Sequence, residues 1–377
     1  LDGFSGRIHC SSATRDVAEL ILRDSAFLQE KDAELANRKG FSKHSPALPL
    51  YRVADIDRTM ALFKPAALHE EVTLPGDGRL LLRRAGHILG ASTAQIDIGG
   101  RRILFSGDLG RYDDPVMHDP ESVPEADYVV IESTYGNRHH DTTDPLDALE
   151  EVIKRTVQRG GTVVIPAFAV GRAQSLIHSL WQLRRSGRLH NLPVYLDSPM
   201  ATSASELLQR YPKEHRLGRQ DCEAACESVN YVRDVEESKA LSANRYPKVI
   251  ISASGMATGG RVLHHIAAFG PDHRNTLLFS GYQAAGTRGR KLLEGARETK
   301  IYGQWLPINA EIAELPMLSA HADSDELMRW LSGFQRAPRR VFVVHGEADA
   351  SEALRERIQR ELGWSVCVPL QGQEFEL

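Results

Sequence analysis

The sequence predicts an α/β protein in two lobes, one built mainly of strands and the other a parallel α/β unit inserted into it. Three observations carry this. Residues 72–105 alternate apolar and polar with period two and turn at Gly99-Gly100, an antiparallel hairpin signal. Residues 146–299 alternate apolar strands with helical patterns, as βαβ units on a parallel sheet do. After Ile301 strand character returns, and 377 residues exceed what one hydrophobic core usually serves. The expected division is 1–145 for the first part of the strand-built lobe, 146–300 for the insertion and 301–377 for the return.

Taken in order, residues 6–11 read as a strand already inside a fold. A helix follows over 12–37, capped by Ser12 or Thr14, with Val17, Leu20, Ile21 and Leu28 as its apolar face. A polar loop leads to a short helix over 56–62, then to strands at 80–82, 94–98 and 102–105. In the insertion, the strand at 163–166 precedes a helix over 172–185, that at 194–196 one over 203–209, and that at 249–251 one over 260–269. The return carries helices over 324–334 and 351–362 and strands at 341–344 and 365–368. No internal repeat or low-complexity tract interrupts the pattern.

Composition bounds the function. Hydrophobic residues make up 42% and charged residues 25%, an ordinary globular balance, and no apolar run approaches the roughly 20 residues of a membrane helix. The net charge of -4 argues against a broadly basic nucleic-acid coat but leaves room for local phosphate seats. Cys10, Cys222, Cys226 and Cys367 are too few and too scattered for a disulfide framework, so a reducing, cytoplasmic setting is expected. Cys222 and Cys226, four apart, read as packing residues on one helix face.

The chain is organised around residues 104–132. Leu104-Phe105-Ser106-Gly107-Asp108 and Val129-Val130-Ile131-Glu132 are apolar strands that each stop at a carboxylate, which delivers Asp108 and Glu132 to the rim of a sheet. His87 lies between Gly86 and Gly90. His321 stands in Ser319-Ala320-His321-Ala322-Asp323, and His345 closes the Val341–Val344 run. Any one of these histidines alone reads best as a packed or capping group. Five such residues, each closing an apolar strand or turn, suit a zinc site, because imidazole and carboxylate both bind zinc and strand ends hold geometry.

These motifs carry a resemblance. Gly-His-Ile-Leu-Gly-Ala-Ser at His87, Phe-Ser-Gly-Asp-Leu-Gly at Asp108, Ile-Glu-Ser-Thr-Tyr-Gly at Glu132, Ser-Ala-His-Ala-Asp at His321 and Val-His-Gly-Glu at His345 resemble the ordered signatures of one nuclease family. That family is the β-CASP branch of metallo-β-lactamase-fold RNA nucleases, which includes the endonuclease subunit of the pre-mRNA cleavage and polyadenylation machinery. The likeness runs through the whole chain, including Asp197-Ser198-Pro199-Met200 and the loop at 254–260. It implies an αββα metallo-β-lactamase sandwich with an inserted β-CASP domain, and hydrolysis of single-stranded RNA, from within or from a 5′ end. It also implies two zinc ions, with His87 on one, His345 on the other and Asp108 bridging. Glu132 and His321 would form the pair that protonates the leaving oxygen.

The family's first metal motif, His-x-His-x-Asp-His, would precede Gly3, and the sequence, which opens at Leu1 without methionine, begins after it. The resemblance assigns most direct ligands to that motif. Because all five residues that this stretch can contain are present, truncation of an active enzyme, or an unrecorded N-terminus, is expected rather than an inactive relative, and the stretch alone is expected to hold zinc weakly or at partial occupancy.

The Gly-rich turns at 254–260 and 286–289 can direct backbone N–H groups at phosphate, so Ser254, Gly255, Thr258, Gly259, Thr287 and Arg288 are expected to contact substrate; tight βα packing explains such turns about as well. Arg83-Arg84, Arg101-Arg102 and Arg339-Arg340 read as solvated rims. His139-His140 and His264-His265 read as surface or cleft-lining groups. Two other functions compete: a small-molecule hydrolase of the same superfamily, disfavoured by an insertion suited to a polymer, and a non-catalytic RNA-binding scaffold. A homodimer is allowed for; a membrane association is not expected.

Overall fold

The computed structural model describes residues 3–40 and 42–377. Its first sheet has seven strands in the order Val366–Cys367, Arg340–Val344, Tyr128–Glu132, Arg101–Phe105, Ser92–Ile98, Arg79–Arg84 and Val72–Thr73. The strands from Val72 to Phe105 pair antiparallel, as their alternation predicts, whereas Arg101–Phe105, Tyr128–Glu132 and Arg340–Val344 run parallel as neighbours. Helices Ser324–Leu331 and Ala348–Leu362 cover this parallel part. Leu327, Trp330, Leu354 and Ile358 pack there on Leu104, Val129, Ile131, Val341 and Val343. That continuous burial holds the three strand ends rigidly side by side.

The second sheet has six strands, all parallel: Asn230–Tyr231, Val194–Asp197, Val249–Ser252, Val163–Pro166, Thr276–Phe279 and Glu311–Glu314. Val163–Pro166, Val249–Ser252 and Thr276–Phe279 are buried along their whole length, because helices lie on both faces; this is why they read as unbroken apolar runs. Asp197 ends one of these strands without exposure. His265 Nε2 at 2.7 Å, Arg261 Nη1 at 2.7 Å and the Ser238 hydroxyl satisfy it. Against the cost of burial, these partners hold its carboxyl below the usual range. His265 is therefore a core residue of the inserted domain, not a surface or cleft-lining group.

Some boundaries differ from expectation. The return at residue 301 comes later, because residues 304–307 close a hairpin on Glu298–Ile301 and Glu311–Glu314 still pairs with Thr276–Phe279 in the second sheet. The helix expected from 203 starts at Pro199, where Ser198 Oγ caps the Ala201 N–H and proline suits the first turn. The short helix runs Val53–Met60, because the Asp55 carboxylate accepts the Arg52 N–H at 2.8 Å and fixes its start earlier. The long first helix is Ser12–Lys39, capped by Ser11 and closed by Gly40 in the left-handed region. Its buried side is narrower than the expected face: Val17 packs on Leu89 and Met117, but Ile21 and Leu28 are 39% and 51% exposed. Cys222 and Cys226 are buried free thiols, as packing residues should be.

Candidate active site

The register of the first sheet assembles the site. Val344 is level with Glu132, and Phe105 is level with Val130, so the parallel neighbours end along one edge. Running on past those ends brings Asp108, Glu132 and His345 together at the carboxyl ends of parallel strands, where open α/β sheets keep their sites. His345 has a φ of 54°, a left-handed conformation uncommon for a residue with a β-carbon and found at functional turns.

His87 and His321 are brought in by loops that cross this edge. The Gly110 N–H donates to Ala85 O at 2.8 Å, and a Cβ on Gly110 would stand 2.1 Å from Gly86 O, so only glycine lets the two loops pass. On the other side the Ala322 N–H donates to Leu109 O at 2.8 Å and the Arg111 N–H to Ala320 O at 3.2 Å. The loop bearing Asp108 is thus clamped between those bearing His87 and His321. All five expected residues converge.

Asp108 faces two histidines with two different oxygens. Oδ1 is 3.2 Å from His345 Nδ1 and Oδ2 is 3.9 Å from His87 Nε2. Ligands about 2.0–2.2 Å from a tetrahedral zinc stand roughly 3.4 Å apart, so these separations, and the nitrogen and oxygen donors themselves, fit zinc. Burial, and secondarily the charge of His321, pull the His87 pKa down to about 4, which leaves the neutral imidazole that a metal requires. Its Nδ1 is buried without a partner among the described residues.

Glu132 and His321 form a second arrangement. His321 Nδ1 lies 3.0 and 3.2 Å from the Glu132 oxygens, and Glu132 is 1% exposed. The same carboxylate accepts the Leu109 N–H at 2.6 Å and the Thr134 N–H at 3.4 Å. Burial opposes both charges, yet the pair outweighs it: Glu132 is held below the usual carboxylate range and His321 is raised above the usual imidazole value. The His321 ring lies against His87 with centroids 4.2 Å apart, and one ligand atom of each falls within 4.8 Å of Asp108.

The six expected substrate contacts do not face the site openly. Thr258 and Gly259 donate their N–H groups to Ser254 Oγ at 3.2 and 3.4 Å, so the loop closes on itself instead of offering them to a phosphate. Gly255 lies under Phe168, which a Cβ there would meet at 2.8 Å. Thr287 caps the Arg288–Leu293 helix. Arg288 turns its guanidinium inwards to Thr299 Oγ1, Lys300 O and Ala257 O, bracing the loop. Met256, within the same loop, is the side chain that reaches the cleft.

That cleft, about 360 Å³, lies between the sheets and is lined by His87, His321, Phe168, Met256, Tyr282 and Arg172. Three residues of this region, two of them, Tyr282 and Arg172, not singled out from the sequence, brace or charge it. His140, expected as surface or cleft lining, is half-buried; its ring bonds His321 O at 2.9 Å and its N–H donates to Asp323 Oδ2 at 2.7 Å, bracing the His321 turn. Tyr282 Oη donates to Glu347 Oε1 at 2.7 Å, tying the inserted domain to the His345 turn. Arg172 opens a helix whose first turn the macrodipole reserves for acids, an anomaly that was visible in the sequence.

Fold and site together define a metallo-hydrolase-type α/β protein with an inserted parallel domain across its ligand edge. Comparison with known proteins agrees. Residues 173–292 match the Beta-Casp domain and residues 305–369 the Zn-dependent metallo-hydrolase RNA specificity domain. A protein of Thermus thermophilus named as a ribonuclease is 31% identical over 386 residues, covering 100% of this chain and 81% of that protein. Transcription termination factor FttA of Methanosarcina mazei is 31% identical over 96% of this chain, which spans only 57% of that factor. An RNase J-like protein of Methanocaldococcus jannaschii is 28% identical over 97% of the chain and 82% of its own length. A crystal structure of a protein of unknown function from Enterococcus faecalis shares the fold, with a TM-score of 0.51 at 11% identity over 97% of this chain and 75% of that one. The chain belongs to the β-CASP family of metallo-β-lactamase-fold RNA nucleases. Among the described residues no helix is long and apolar enough to cross a membrane.

Proposed function

We propose that this protein hydrolyses phosphodiester bonds of single-stranded RNA with a two-zinc centre, to which His87, Asp108 and His345 contribute. The observation that carries the reading is Asp108, whose two oxygens face two different histidines beside the buried Glu132–His321 pair. The chemistry zinc supplies when bound is Lewis acidity at the phosphoryl group and activation of water.

The remaining tasks fall to the chain itself. Glu132, fixed by two backbone N–H groups, holds His321 Nδ1 and stabilises the imidazolium. That leaves His321 Nε2, on a ring that lines the cleft, to give a proton to the departing ribose oxygen. Burial of the pair away from water keeps the imidazole oriented before substrate arrives. The inserted domain supplies the opposite cleft wall, which suits a strand longer than one nucleotide.

The test is cleavage of end-labelled single-stranded RNA by the intact protein, with and without a zinc chelator, beside duplex RNA and a lactone. Zinc-dependent cleavage of the single strand alone is the expected result. Efficient lactone hydrolysis without RNA cleavage would move the reading to a small-molecule hydrolase, and RNA binding without cleavage to a scaffold.

A further inference from the structure

Arg172 is a buried cation with no close counter-ion among the described residues. It is 9% exposed, and among the described residues its guanidinium donates no side-chain hydrogen bond and has no carboxylate within 4.0 Å. Burial, with Arg111 nearby, pulls its pKa down to about 10, against the distant charge of Asp114. It also stands in the first helical turn, where the macrodipole disfavours a positive group. A cation in this state is costly unless an anion joins it.

The surroundings indicate where the anion sits. Nη2 lies 3.5 Å from where a Cβ on Gly281 would stand, so Gly281 lies directly beside the guanidinium, and its φ of 106° would strain any other residue there. Next to it Ser280 Oγ is buried, at 4% residue exposure, and has no hydrogen-bond partner among the described residues. Both residues line the same cleft as His87 and His321. On that wall Phe168 is 44% exposed and Met256 lies beside it, a flat apolar surface next to an unmet positive charge. Alternating charge and stacking surface is what single-stranded nucleic acid requires.

We propose that Arg172 and Ser280 form a seat for one backbone phosphate of the substrate strand on the inserted domain's side of the cleft, with Phe168 stacking a neighbouring base. The seat positions the strand so that the phosphodiester to be cut reaches His321. This rests on the nucleolytic reading above, but binding of phosphate can be measured without cleavage.

The experiment compares the intact wild-type protein with its Arg172→Gln, Arg172→Met and Ser280→Ala variants. Zinc content and melting temperature are measured first. Removing an unpaired buried charge should leave the melting temperature unchanged or raise it in Arg172→Met; a large fall would mean a structural role and overturn the proposal. Inorganic phosphate should raise the wild-type melting temperature and leave both Arg172 variants unmoved; an equal rise in all would overturn it. With labelled single-stranded RNA, Arg172→Gln should raise KM by about 10- to 100-fold, as expected for a charge-assisted hydrogen bond, with a smaller change in kcat. Its slope of log KM against log salt should fall by about 0.7, the share of one phosphate on a single strand. Ser280→Ala should show a weaker loss and an unchanged slope. Wild-type cleavage with unaltered KM and slope in Arg172→Gln refutes the seat alone; Arg172-dependent phosphate binding without any RNA cleavage refutes the nuclease reading and leaves the seat standing.

Discussion

Replacing His321 by Ala separates proton donation from metal binding. The variant loses both contacts to Glu132, at 3.0 and 3.2 Å, and the ring against His87. A positioned acid contributes about 10²- to 10⁴-fold, so kcat should fall by that factor, about 2.7–5.4 kcal/mol of barrier. Stability falls as well, because Glu132 keeps the Leu109 and Thr134 N–H groups but becomes a buried carboxylate without its cation. Breaking such a pair costs about 3–5 kcal/mol. Adding Glu132→Gln removes the orphaned charge, so the double variant should regain much of that stability while turning over no more slowly than His321→Ala, since the two act as a unit. Metal analysis by mass spectrometry, thermal melts and cleavage rates on RNA and on a p-nitrophenyl phosphodiester check this. The nitrophenolate needs no proton, so it should restore much of the rate in His321→Ala. If zinc is lost with His321, which lies within 4.8 Å of Asp108 and His87, or if the activated ester gives no recovery, His321 is a ligand and not the acid.

Three other expectations follow from the same geometry. Asp108→Ala removes the group between His87 and His345, so zinc content and activity should fall together, and the activated ester should not rescue it. Glu132→Gln deletes the main influence that raises the His321 pKa and leaves burial, which lowers it most, with the opposing charges of Asp108, which raises it, and Arg172, which lowers it. The alkaline limb of kcat should therefore move to lower pH. The sign for stability is consistent. His321, raised in the fold, contributes fully below 6.5 and loses its share as pH rises through its folded value; Glu132, lowered, contributes above 4.5 and loses its share as pH falls through its own. Asp197→Ala strips a buried carboxylate from His265 and Arg261, so the melt should show a loss of about 3–5 kcal/mol with zinc content retained.

What was legible depended on whether the cause is local. Strands buried on both faces announce themselves as apolar runs, and a carboxylate or histidine closing such a run must fall at the sheet edge, so Asp108, Glu132 and His345 could be placed without coordinates. Gly86 and Gly110 let two loops cross closely, but that crossing, and its partner, is a tertiary fact that the sequence does not announce. The first helix shows the limit in the other direction. Ile21 and Leu28 fit a helical stripe, yet the surface available to the helix meets mainly Ala13, Val17 and Ala26. For the 254–260 loop, glycine spacing reports backbone freedom and not the direction of the N–H groups, two of which turn to Ser254. His140 carried no pattern of its own, since its partner is a backbone carbonyl 181 positions away.

The two carboxylates at the edge illustrate why position alone does not assign a role. Asp108 and Glu132 close neighbouring parallel strands and each faces histidine. Asp108 keeps a side chain 38% exposed, and among the described residues no backbone N–H holds it, so both oxygens are available to an ion. Glu132 is sealed and its oxygens already accept from Leu109, Thr134 and His321, although one of them lies within 4.8 Å of ligand atoms on Asp108 and His345. An ion that drew Glu132 away from these donors would leave them buried and unsatisfied, at about 1–3 kcal/mol each. Environment therefore divides the labour: the open carboxylate suits ligation, and the enclosed one suits keeping an imidazole charged and aimed.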